Sequence, residues 1–62
     1  MKNEKDVADW LNAQEEGDEY APGFADNLAE CWHVVFGRSL ADEDQETRGN
    51  AWSHLCSAVL WK

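Results

Sequence analysis

Apolar residues recur at three- and four-residue spacing through the last third of the chain. The residues concerned are Ala51, Trp52, Leu55, Ala58 and Val59. This spacing places them on one face of an α-helix, so it predicts an amphipathic helix that packs against a core. Ser39 and Asp42 have the spacing of a capping box that would start this helix near residue 40. We therefore predict a third helix over residues 40–61, with Gly49 as the position where it would kink or break.

The start of the chain has the residues of a helix N-terminus. Asn3 is a favourable N-cap, and the carboxylates of Glu4 and Asp6 would stabilise the positive end of the helix dipole. Gly17 suits the left-handed conformation that often ends a helix. We therefore predict a first helix over residues 4–16.

A second helical segment lies between two glycine-containing turns. Its apolar stripe consists of Phe24, Leu28, Cys31 and Val35. Pro22 is tolerated in the first turn of a helix and Gly37 can end one, so this segment is predicted to be helical over residues 22–36. Three helices with short connections favour an antiparallel arrangement. The sequence therefore predicts an all-α fold, a small three-helix bundle forming a single domain over residues 1–62.

The chain is short for a stable core. Its 62 residues would bury a smaller fraction of their surface than a domain of ordinary size. The third predicted helix also has more apolar surface than two neighbours can cover. Cys56 and Leu60 flank its main stripe on one side and Trp61 on the other. A second copy of the chain would cover this surface, so we expect a homodimer that self-associates through these three residues.

Charge is distributed unevenly along the chain. The net charge is −8, and residues 1–30 carry two basic and nine acidic side chains, against three and four in residues 31–62. This field repels phosphate backbones and anionic lipids and attracts basic proteins. The sequence contains no apolar stretch of membrane-spanning length and no apolar segment typical of a signal peptide. We therefore expect a cytoplasmic protein with a basic protein partner, and no direct contact with nucleic acid or membrane.

Two cysteine–histidine pairs come closest to a chemical motif. Cys31 and His33 stand two residues apart, as do His54 and Cys56 in the reverse order. Residues two positions apart on a helix point to nearly opposite sides, so the cysteine and histidine of a pair would not bind the same zinc ion. If either segment were extended instead, both side chains of its pair would lie on one side and could bind zinc together. A disulfide between the two cysteines is not expected in the cytoplasm, and nothing in the spacing orients a cysteine nucleophile. The sequence predicts no cofactor, no metal and no enzyme activity.

Acidic residues and one tryptophan form a candidate partner surface. Of four tryptophans, Trp32 and Trp52 lie beside apolar stripes and are predicted in the core, whereas Trp10 lies at the edge of its stripe. A large aromatic side chain inside a charged rim is typical of a binding hot spot. The predicted partner-binding residues are Trp10, Glu15, Glu16, Asp18, Glu19, Asp26 and Glu30.

Two main functional hypotheses agree with these features. The first is a small non-enzymatic protein-binding module, an inhibitor that presents a nucleic-acid-mimicking acidic face to a basic nucleic-acid-processing partner. The alternative is a structural homo-oligomer, or a small subunit of a larger assembly, whose interface is the third helix. A metal-binding or redox role is the third hypothesis. Ionic strength tests the first, because an electrostatically steered complex forms more slowly as salt rises.

Overall fold

The computed structural model describes residues 1–61, and its regular secondary structure is helical throughout. The α-helices are α1 (Glu4–Ala13), α2 (Phe24–Phe36), α3 (Gln45–Gly49) and α4 (Ala51–Val59), and short 3-10 helices lie at Asp18–Tyr20 and Leu40–Asp42. No strand occurs within residues 1–61. The predicted all-α class is therefore confirmed. Within the same residues, no helix combines the length and the apolar character needed to span a bilayer.

Helix α1 starts where the sequence predicts and ends three residues earlier. The Oδ1 atom of Asn3 accepts a hydrogen bond from the backbone N–H of Asp6 (3.0 Å), which confirms the predicted N-cap. The helix stops at Ala13 because Gln14 is extended (φ −77°, ψ 140°). Gly17 is left-handed (φ 95°), but it precedes the 3-10 helix rather than ending α1. The predicted helix over residues 4–16 was therefore too long.

Helix α2 differs from its prediction only at its start. Gly23 adopts a left-handed conformation (φ 87°) immediately before Phe24, so Pro22 lies in a turn and not in the first turn of the helix. The predicted end is confirmed. Gly37 is left-handed (φ 72°), and its N–H donates to the carbonyl of His33 at 2.9 Å.

The third predicted helix, residues 40–61, starts later than predicted and is interrupted after Gly49, where the sequence left a break open. The Ser39 side chain makes no capping hydrogen bond. Asp44 caps α3 instead, because its Oδ1 accepts from the Thr47 N–H at 2.7 Å. Asn50 then separates α3 from α4, and its side-chain Nδ2 donates to the carbonyl of Glu46 at 3.0 Å. A glycine followed by an asparagine that bonds to nearby backbone favours a break over a continuous helix.

Of the four α-helices in the described residues, three supply the core. The fully buried cluster takes two residues each from α1, α2 and α4, namely Val7, Leu11, Cys31, Trp32, Ala51 and Leu55. Trp32 is 2% exposed, which confirms its predicted place in the core. Trp52 is 36% exposed, so its predicted burial is wrong. It lies at the edge of the core, beside Trp10 and Phe24.

Candidate functional site

Three aromatic rings from three helices meet at one edge of the core. Trp10 comes from α1, Phe24 from the first residue of α2, and Trp52 from α4. The ring centroids of Phe24 and Trp10 are 5.3 Å apart, and those of Phe24 and Trp52 are 6.0 Å apart with a 26° interplanar angle. Trp10 and Trp52 meet edge to face at 6.0 Å. We call these three residues the aromatic cluster; such ring pairs contribute about 0.5–1.5 kcal/mol each beyond their buried area.

The aromatic cluster adjoins a cleft of about 460 Å³. The cleft is lined by Gln14, Glu15, Glu16, Glu19, Phe24 and Trp52, and we call it the acidic–aromatic cleft. Two rings provide its apolar wall, and three carboxylates stand around it. None of the basic side chains in residues 1–61 lines it.

Hydrogen bonds within the loop after α1 position the carboxylates. The N–H of Glu15 donates to Asp18 Oδ2 at 2.9 Å, and the N–H of Gly17 donates to Glu19 Oε2 at 3.0 Å. Gln14 anchors the start of this loop, because its Nε2 donates to the Trp10 carbonyl at 2.9 Å. The acidic side chains of Asp18 and Glu19 thus satisfy backbone N–H groups of the loop.

Glu15 and Glu16 differ from the other acidic residues of this loop. Both are exposed, and their carboxylates have no hydrogen-bond or ion-pair partner among residues 1–61. Two basic side chains of the chain pair with carboxylates outside the cleft, Lys5 with Asp9 at 3.1 Å and Arg38 with Glu43 at 3.2 Å. Within residues 1–61, the negative charge at the cleft is therefore uncompensated by side chains that line it, and that charge can attract a cationic ligand.

The structure brings together only some of the predicted partner-binding residues. Glu15, Glu16 and Glu19 line the cleft, and Trp10 supports it from within the aromatic cluster. Asp18 holds the loop, as described above. The remaining two predicted residues, Asp26 and Glu30, lie on α2 and do not line the cleft. Glu30 pairs with the amino terminus of Met1 at 3.1 Å.

Sequence reasoning missed Phe24 and Trp52 as site residues. Their place in or beside helical stripes predicts burial in the core, and the structure places them at its edge. Phe24 lies partly exposed at the start of α2, and Trp52 is 36% exposed on α4. The position of Trp52 beside an apolar stripe is a sequence signal that could have identified it, whereas the position of Phe24 within its stripe gave no such signal.

A second aromatic–carboxylate arrangement already holds an arginine of this chain. The guanidinium of Arg38 lies over the Phe36 ring, with Cζ at 5.7 Å from the ring centroid. The same guanidinium donates two parallel hydrogen bonds to Glu43, both 3.2 Å long. This geometry combines a cation–π contact with a bidentate ion pair.

The residues predicted to mediate self-association occupy different environments. Cys56 is 3% exposed and lies inside the molecule, where burial raises the pKa of its thiol. Leu60 packs partly buried against the core. Trp61 is 67% exposed. Only Trp61 therefore presents most of its side chain to the surroundings, and self-association through this region stays a prediction.

The two cysteine–histidine pairs do not converge in the described part of the chain. Cys31 is buried, its thiol donates to the sulfur of Met1 at 3.2 Å, and burial raises its pKa to about 11. His33 and His54 are exposed. Within residues 1–61, no three His, Cys, Asp or Glu side chains come together in a group suited to a metal ion. Both thiols are free, and a thiol with a raised pKa is a poor nucleophile at neutral pH.

Comparison with known proteins found no matching family model, no matching curated protein and no matching solved structure. The interpretation of this site therefore rests on its own geometry and charge.

Proposed function

We propose that this chain is a small non-enzymatic protein-binding module that presents its acidic half to a basic partner. The observation that carries the proposal is the acidic–aromatic cleft, where the carboxylates of Glu15 and Glu16, which have no partner within residues 1–61, stand beside partly exposed rings. Binding hot spots combine an aromatic anchor with a polar rim in this way.

The charge of the chain supports the same proposal. With nine acidic and two basic side chains in residues 1–30, a basic protein would be attracted before contact, and the association rate would fall as salt screens the charges. A partner that normally binds the phosphates of nucleic acid has the required basic surface. We therefore propose an inhibitor that occupies such a surface in place of nucleic acid.

Affinity capture with matched charge variants tests this function. The chain would be immobilised at low ionic strength, exposed to a lysate of the organism that encodes it, and eluted with rising salt. We expect a basic nucleic-acid-binding protein to be retained and to be released by added duplex DNA. The variant Glu15→Lys/Glu16→Lys should lose it, because the reversed charges repel a basic partner. The fold should be kept, since no hydrogen bond or ion pair of these carboxylates is broken within residues 1–61.

The control variant is Asp42→Lys/Glu46→Lys. Both residues are exposed and outside the cleft, and the substitution changes the net charge by the same amount. Retention of the partner by this control and not by the cleft variant would support the acidic half as the binding surface. Equal retention by both variants, or no retained basic protein at low salt, would refute the proposal.

A structural homo-oligomer is the second candidate, and one observation favours it. Trp61 is 67% exposed beside the partly buried Leu60 at the end of α4. Exposed aromatic surface of this kind is covered by a partner in many dimers. Sedimentation equilibrium should then show a monomer–dimer equilibrium that Trp61→Asp shifts to monomer, while Glu15→Lys/Glu16→Lys leaves it unchanged. A monomer at every protein concentration would exclude this candidate.

A further inference from the structure

We infer that the acidic–aromatic cleft receives an arginine side chain of the partner protein. This inference rests on the proposed function, because it specifies which group of the basic partner enters the cleft. It identifies the chemical group that binds and gives Phe24 and Trp52 a role in binding it. Net charge alone gives these two rings no role.

The aromatic wall of the cleft favours a planar cation. The Phe24 and Trp52 rings are within 26° of parallel, and Trp52 is 36% exposed where it lines the cleft. A guanidinium group is flat, delocalised and weakly hydrated, so it stacks on such rings at a lower desolvation cost than an ammonium group. The apolar stem of an arginine would also cover ring surface.

The carboxylates supply the second half of the recognition. The carboxylates of Glu15 and Glu16 at the cleft have no partner in the described part of the chain, and a carboxylate accepts two parallel hydrogen bonds from a guanidinium group. A neutral side chain would displace water from these charges without compensation, and an anionic one would be repelled. Charge and shape therefore select a cationic, planar group.

The Arg38 site shows that this chemistry operates in the same chain. There an aromatic ring and a carboxylate hold one guanidinium, at 5.7 Å and 3.2 Å respectively. The acidic–aromatic cleft has the same two components, with rings and carboxylates but no arginine among its lining residues. A partner's arginine would complete the arrangement.

The test is an NMR titration of the whole chain with short capped peptides. The probe is acetyl-Gly-Arg-Gly-amide, and the comparison peptides carry lysine, citrulline or norleucine in place of arginine. The four indole N–H resonances are assigned by single substitutions, so the response of Trp52 is separated from that of Trp61. We expect a saturable shift of the Trp52 resonance, strongest with arginine, weaker with lysine and absent with the two uncharged peptides.

Two variants place the binding site. Glu15→Gln/Glu16→Gln should lower the affinity for the arginine peptide roughly five- to tenfold, whereas the matched control Asp42→Asn/Glu46→Gln should leave this affinity unchanged. Trp52→Leu should weaken it by a similar factor, provided that circular dichroism shows the native helix content. The glutamine variant keeps the test valid should the Trp52 variant fail to fold.

The possible results separate this inference from the proposed function. One pair of results would overturn the inference and leave the proposed function intact. In the capture experiment, the partner would be lost from Glu15→Lys/Glu16→Lys but retained by Trp52→Leu. In the titration, the Trp52 resonance would not shift on peptide addition. Equal binding of arginine and norleucine peptides would also overturn it, since the cleft would then be a plain apolar groove. Equal binding of arginine and lysine peptides would overturn the assignment to arginine. Arginine-selective binding with no retained basic protein would support the cleft chemistry and refute the proposed function.

Discussion

The contact between Phe24 and Trp52 should be measurable as a coupling free energy. The two residues come from different helices, α2 and α4, and their centroids are 6.0 Å apart in a stacked arrangement. A double-mutant cycle with Phe24→Leu and Trp52→Leu isolates this contact, because leucine keeps an apolar side chain but removes the ring. We expect a coupling of about 0.5–1.5 kcal/mol in the free energy of unfolding.

The single substitutions should leave the chain folded. A packed tryptophan buries about 150–250 Å², and Trp52 is 36% exposed, so about two-thirds of such an area is removed from water. A leucine at this position would bury roughly half of that area. At about 25 cal/mol per Å² of lost burial, Trp52→Leu should lower the free energy of unfolding by about 1–2 kcal/mol. Native domains of this length are stable by roughly 3–9 kcal/mol.

Urea unfolding followed by far-ultraviolet circular dichroism is the appropriate assay, because tryptophan fluorescence changes with the substitution itself. The control cycle pairs Phe24→Leu with Trp61→Leu, whose side chain is 67% exposed, and it should show no coupling. A coupling below about 0.3 kcal/mol for Phe24 and Trp52, or an equal value in the control, would refute the aromatic cluster as described.

Three further predictions concern the core, the glycines and the buried thiol. Leu55→Ala should lower the free energy of unfolding by about 2–5 kcal/mol in urea titrations, because Leu55 is 0% exposed and the structure would be left with a cavity. Gly37→Ala should destabilise by about 1–2 kcal/mol since Gly37 is left-handed, whereas Gly49→Ala in α3 should stabilise by about 0.5–1 kcal/mol in thermal unfolding. Burial raises the pKa of the Cys31 thiol to about 11, so this thiol ionises at lower pH in the unfolded chain than in the folded one. The free energy of unfolding should therefore be constant below about pH 8.5 and fall as the pH rises toward 11. The fall should be smaller in Cys31→Ala, which lacks this thiol. The Gly49 prediction would be contradicted by a thermal midpoint for Gly49→Ala below that of the parent chain. The Cys31 prediction would be contradicted by identical pH profiles of stability for Cys31→Ala and the parent chain.

The candidate site was only partly predictable from the sequence. Composition identified Glu15, Glu16 and Glu19, because an acidic run after a helix is a local feature, and these residues do line the cleft. Periodicity assigned Phe24 and Trp52 to core stripes, since it shows which side of a helix is apolar but not where the neighbouring helix ends. The wall of the cleft therefore emerged only when the helices were packed.

The sequence by itself determined the helical class, the N-cap at Asn3, the end of α2 at Gly37 and the acidity of the first half. These features depend on contacts between residues a few positions apart, which the order of residues specifies directly. Gly49 also marked the position of the break between α3 and α4. Only the tertiary structure decided that Trp10, Phe24 and Trp52 meet. Their meeting depends on how three helices pack around one core, a long-range balance of buried area that no local pattern encodes.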